Sequence, residues 1–254
     1  MEFDKLQLYF AMPYVVDVEG AEGTITIKQP TVRDLVEKGE EKFFSNLNIF
    51  VANTTTYRLA LWEVGIDWNE ISNFELFCML YTTIDDWFSQ LLFGEDFSFA
   101  KFQIYEKTIS EEETYIVLYS EELNIEINEA VYKQINGYLQ YIFKFFPEEK
   151  TTKDKILKKW FINKDKKDLE ILQKKVKDKE KETSIVSLIS SCVNHAGFKY
   201  NSKQILDIGI CEFYDSIQRL QVYESTTAVM KGMFSGFVDT SKIKPDEYNF
   251  MKEI

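Results

Sequence analysis

Two periodicities divide the chain. Between Phe97 and Ile127 apolar and polar positions alternate, and Phe102–Tyr105, Thr114–Tyr119 and Leu123–Ile127 read as three short strands of a small antiparallel sheet, with the acidic run Ser110 to Glu113 at a turn. Elsewhere apolar residues mostly recur at spacings of three and four, as on one face of a helix. Thr31 can cap a helix carrying Val32, Leu35, Val36, Phe43, Phe44 and Leu47, with Gly39 as its weak point. Further helices are predicted from Thr54 to Val64, closed by Gly65, after Ser72 through Phe74, Leu76, Phe77, Met79 and Leu80, and from Asp85 to Phe93, stopped by Gly94. Asn128 caps another that runs to about Phe146, where Pro147 prevents continuation.

The opening stretch, Leu6 to Ile27, reads as extended and predicts a small hairpin, its strands Tyr14–Val18 and Thr24–Ile27 joined around Gly20 and Gly23. Past Pro147, residues 148–183 have the densest lysines, yet Leu169, Leu172 and Val176 fall on one helical face. This segment is read as an exposed helix and linker, and as the best candidate boundary. Ser184 to His195 and Cys211 to Met233 then predict two helices before a short tail interrupted by Pro245. The expected fold class is α+β and predominantly helical: a small antiparallel sheet with flanking helices in 1–147, a Lys-rich helix and linker in 148–183, and an all-helical C-terminal region in 184–254.

Composition sharpens this picture. A chain of 254 residues, 45% hydrophobic and 15% aromatic, carries enough apolar material for one large core or two modest ones. No apolar run approaches the ~20 residues that cross a bilayer, and the acids at Glu2 and Asp4 sit where a secretory leader needs basic residues. Three cysteines, Cys78, Cys192 and Cys211, make an odd and sparse set that fits a reducing cytoplasm better than a disulfide framework. The formal net charge is −12, while Lys150 to Lys181 holds 13 lysines against six acids. One basic segment thus interrupts an acidic protein, and it contains no Arg, the residue that supplies bidentate contacts to bases and phosphates. Trp160 and Phe161 could stack on a base, but a solvated linker or an acidic protein partner is the commoner use of such a segment, and a nucleic-acid role is not expected.

Candidate chemistry is thin. His195 is the single histidine, so no site can draw on two imidazoles from one chain. Cys192 and His195 could share a helical face and recruit Cys78 and Cys211 as zinc ligands, but paired CxxC spacing is absent, and a structural role is the bland and preferred reading. Ser190 and Ser191 lie near His195 without the strand-turn-helix elbow of a nucleophilic serine. The pairs Asp85–Asp86 and Glu121–Glu122 could bind magnesium or act as acid and base, but among 42 acids such pairs arise by chance, and they are expected to be solvated. Phosphate-binding and dinucleotide-binding loops are missing. No catalytic residue, cofactor or metal is predicted. The positive feature is the aromatic crowd of the first hundred residues: Phe43, Phe44, Phe50, Tyr57, Trp62, Trp68, Phe74, Phe77, Trp87, Phe88 and Phe93. Most are expected in the core, with Trp62, Trp68, Phe74 and Phe213 mainly structural, and the surplus is expected to form an exposed protein-binding patch whose members are not identifiable from sequence.

Several stretches resemble proteins from the tail-gene regions of phages and prophages of Gram-positive bacteria: Gln29–Asp34 with Gly39–Glu40, Leu61–Trp62 through Gly65–Trp68, Gly197–Tyr200, Glu212–Arg219, and Tyr223–Thr226 through Gly232, Ser235–Gly236 and Asp239–Ile243. The resemblance implies a tail-assembly-chaperone-like role in the host cytoplasm, binding a tape-measure or tail protein stoichiometrically. A structural tail or baseplate component and a phage nucleic-acid-binding accessory protein are its alternatives.

Overall fold

A computed structural model describes residues 3–18, 20–110, 113–177, 184–236, 241 and 243–252. The class is α+β and predominantly helical, with two small antiparallel sheets and flanking helices. The expected turn at Ser110 to Glu113 includes Glu111 and Glu112, which lie outside the described residues.

The N-terminal stretch departs from its extended reading. Asp4 caps a short helix, α1 (Lys5–Tyr9), by accepting hydrogen bonds from the amides of Leu6 and Gln7. A five-residue helix is too short to display a repeat, so period counting misses it. The predicted hairpin follows as β1 (Tyr14–Val16) and β2 (Ile25–Ile27), with Val16, Ile25 and Ile27 buried.

The long helix predicted after Thr31 is two helices, α2 (Val32–Lys38) and α3 (Glu40–Val51). Gly39 at φ +85° breaks them, a conformation that an L side chain resists. Thr31 and Asp34 form a reciprocal capping box on α2, and Ser72 with Glu75 forms another on α5 (Asn73–Leu80). Between them α4 is only Arg58–Glu63, shorter than the predicted Thr54–Val64, because the Thr cluster forms turns around the Asn53 side chain. Next comes α6 (Asp86–Phe93). Three strands, β3 (Gln103–Ser110), β4 (Glu113–Ser120) and β5 (Ile125–Ile127), pair in sequence order, with Leu118 of β4 opposite Ile127 of β5, both fully buried.

At the centre lies α7 (Glu129–Phe143), capped by Asn128 and ended by Lys144 in the left-handed region at φ +52°, before the predicted Phe146. Its buried residues Val131, Ile135, Tyr138 and Ile142 form one stripe, and Tyr132, Leu139 and Phe143 widen it. Around it Phe50, Phe77, Phe88, Phe99 and Phe102 are buried, with Phe50 and Phe77 5.4 Å apart and Phe77 and Phe99 5.7 Å apart between ring centres. Each such ring contributes roughly 2 kcal/mol on leaving water.

Beyond α8 (Lys155–Lys177) come α9 (Ile185–Val193), capped by Ser184, and α10 (Ile210–Phe234). Ile185, Ile205, Ile210 and Phe213 join the same core as the N-terminal helices. The joint is largely backbone: the amide of Val32 donates to the carbonyl of Ile208 at 3.1 Å, and that of Ile210 to Pro30 at 3.0 Å. Gln29, buried, spans it by donating to the Leu8 carbonyl and accepting from the Cys211 amide.

Candidate protein-binding surface

After α7 the chain becomes a strap, residues 147–152, held by side chains from far upstream. The Asn53 amide donates to the carbonyls of Pro147 and Glu148. Thr55 accepts from the Lys150 amide at 2.9 Å, the indole of Trp68 donates to the Lys150 carbonyl at 3.1 Å, and Asn69 accepts from the Thr152 amide at 2.9 Å. The strap delivers α8 onto a satellite core of Leu61, Trp68, Leu76 and Ile162.

The first half of α8 is docked. Arg58 of α4, which is buried, meets Asp165 with both carboxylate oxygens engaged, and its guanidinium lies 4.6 Å from the centre of the Phe161 ring. Lys158 pairs with Asp67. Partial burial would raise the Asp67 carboxyl, but hydrogen bonds from Lys158 and Asn69 outweigh that and hold it below the usual range. Lys158, Ile162 and Asp165 share one helical face.

That face does not stop where the body stops. Leu169 and Leu172 continue it one and two turns on, 47% and 48% exposed, and every residue from Lys166 to Lys174 is exposed. A helix with solvent all round and leucines on its docking face presents an exposed apolar stripe. Its far side carries Trp160, 54% exposed, with Lys164 5.7 Å from the ring centre.

A second concavity lies between the β3–β4 hairpin and helices α5 and α7. It encloses about 620 Å³, with Phe74, Tyr115 and Ile116 as apolar lining and Glu75, Glu106 and Glu129 beside Lys133. A neighbouring hollow of about 300 Å³ shares Ser72, Phe74, Glu129 and Lys133 with it and adds Glu149.

The aromatic patch expected in the first hundred residues is not there. Phe43, Phe50, Trp68, Phe74, Phe77 and Phe88 are buried, while Phe44, Tyr57, Trp87 and Phe93 are partly covered. Of the crowd only Trp62, at 37%, is exposed, so the core reading fails for it; it leans edge-on against Trp68 at 6.2 Å. The aromatics are consumed by ring packing around α7, and the exposed leucine stripe falls on α8, which the aromatic density did not mark. No signal in the sequence joins Arg58 to Asp165, 107 positions apart.

The residues weighed for chemistry are scattered. Cys78, Cys192 and Cys211 are free thiols buried in α5, α9 and α10, and burial raises the pKa of each, Cys78 to about 12. His195 accepts the Gly197 amide hydrogen at Nδ1, 2.9 Å, and places Nε2 3.0 Å from a Glu224 carboxylate oxygen. Ser190 receives hydrogen bonds from Asn194, and both Ser190 and Ser191 are exposed. The acid pairs are not simply solvated. Asp85 accepts from Asn46 and Trp87, Asp86 accepts from Ser98, and Glu122 pairs with Lys101 at 2.9 Å.

Residues 175–254 match the family model of the YomV second domain. This is a phage-associated domain, YomV being a Bacillus prophage protein, and the match takes in the end of α8, α9 and α10, about a third of the chain. No curated protein and no solved structure matches the chain.

Proposed function

We propose that this protein works by stoichiometric association with another phage protein, a tape-measure or tail subunit that it keeps soluble in the host cytoplasm during tail assembly, and that it performs no chemistry of its own. The observation that carries the reading is the projecting half of α8. It is held rigidly at its root by Arg58–Asp165 and Lys158–Asp67 and offers Leu169 and Leu172 at i, i+3 spacing, the pattern by which an amphipathic helix seats in a partner's groove. The phage-associated match supports the setting. Among the described residues no helix is long and apolar enough to cross a membrane.

Co-expression with overlapping tape-measure fragments tests it. Wild-type protein should keep at least one fragment soluble in a fixed ratio, and Leu169→Ser/Leu172→Ser should lose that protection while its own melting curve stays near wild type, because both side chains are half exposed. Absence of protection for every fragment, together with the protein's presence in purified virions, would replace this reading with a structural tail component.

A further inference from the structure

The groove beside the sheet has a charge opposite to that of the projecting helix. Glu75, Glu106 and Glu129 line it, Glu149 lines its extension, and Lys133 is the cation common to both parts, which leaves a local net of −3. From Lys166 to Lys177 the sequence of α8 holds five lysines and two acids, a net of +3. None of the residues lining the groove belongs to α8. The lining combines Phe74, Tyr115 and Ile116 around a volume of about 620 Å³.

We infer that the projecting half of α8 docks in the groove of a second copy of this chain. Leu169 and Leu172 reach the apolar lining at Tyr115 and Ile116, and Lys166, Lys167 and Lys174 meet the carboxylates of the rim. A symmetric pairing of two α8 helices would instead bring two net-positive segments together, an arrangement that like charges disfavour. Helix and groove are different surfaces, so the contact is either exchanged reciprocally in a two-fold dimer or runs head-to-tail into a closed ring or an open chain. The inference does not rest on the proposed tail partner, which would compete with the groove for the same leucine stripe.

Sedimentation of the full chain tests it, from about 1 to 200 µM. The wild type should gain mass with concentration, and raising salt from roughly 50 to 500 mM should weaken association several-fold. The helix variant Leu169→Ser/Leu172→Ser and the groove variant Glu106→Lys/Glu129→Lys should each self-associate at least tenfold more weakly. All four side chains belong to exposed residues, and Glu106→Lys alone serves if the double change harms folding. An equimolar mixture of the two variants should form a 1:1 complex, since one supplies an intact helix and the other an intact groove. The inference is overturned by a wild type that stays monomeric, by salt-independent association, by a groove variant that associates like the wild type, or by a mixture that stays monomeric. The groove variant also separates this contact from partner binding, because it should still protect a tape-measure fragment.

Discussion

Arg58 and Asp165 face each other across the α4–α8 contact with side chains only 10% and 22% exposed, one guanidinium nitrogen on each carboxylate oxygen. Removing one member strands the other charge in a largely covered site. Arg58→Ala should cost about 2–4 kcal/mol in urea unfolding, less than for a pair wholly closed to water. Hydrogen exchange should accelerate first in α8, and a uniform acceleration across the molecule would contradict the latch.

Trp62 and Trp68 are neighbours with different surroundings. Trp68 is fully buried and bonded to the strap, so Trp68→Ala should cost about 3–5 kcal/mol. Trp62→Ala should cost about 1 kcal/mol, since the ring already meets water. Equal losses in chemical denaturation would show that the two indoles share one environment.

Gly209 sits where the N-terminal and C-terminal segments meet. A Cβ there would collide with the Gln29 carboxamide and approach the Cβ of Ala11 to 2.9 Å. Gly209→Ala should destabilise by about 1–3 kcal/mol through displacement of Gln29, which bonds both Leu8 and Cys211. Thermal melts should show the loss, and a crystal structure of the variant should show Gln29 moved.

Alkaline conditions should unfold the protein. Burial, with a smaller push from Glu75, raises the Cys78 thiol to about 12 from the ordinary 9.0, and burial raises the Tyr214 and Tyr138 phenols to about 12 from 10.0. The folded state then holds protons that the unfolded chain releases, so stability is intact below pH 9 and falls as pH rises from 9 toward 12. Ellman's reagent at pH about 8 should find no reactive thiol in the native protein and three in denaturant. Rapid native labelling of Cys78 would contradict its burial.

What could be read from sequence was local. Ser72 before Asn73, Thr31 before Val32, Asn128 before Glu129 and the alternation of β3 and β4 are written within a few residues and recur in the structure. The break at Gly39 was marked as a weakness, but whether a glycine bends or severs a helix depends on what packs on either side. The expected aromatic patch is missing because composition counts aromatics without saying which find partners. Leu169 and Leu172 were visible as a stripe; that nothing in the described chain covers them followed only from where Arg58 and Asp67 anchor the helix.

The strap is gripped mainly by its main chain: Asn53, Thr55, Trp68 and Asn69 hold carbonyls and amides of residues 147–152 and ask little of the side chains there. The wording of that stretch is thus open to drift while its path is not. Directions for placing α8 are stored 82 to 95 positions upstream, so a substitution at Asn53 or Asn69 would redirect a helix through the strap that leads into it.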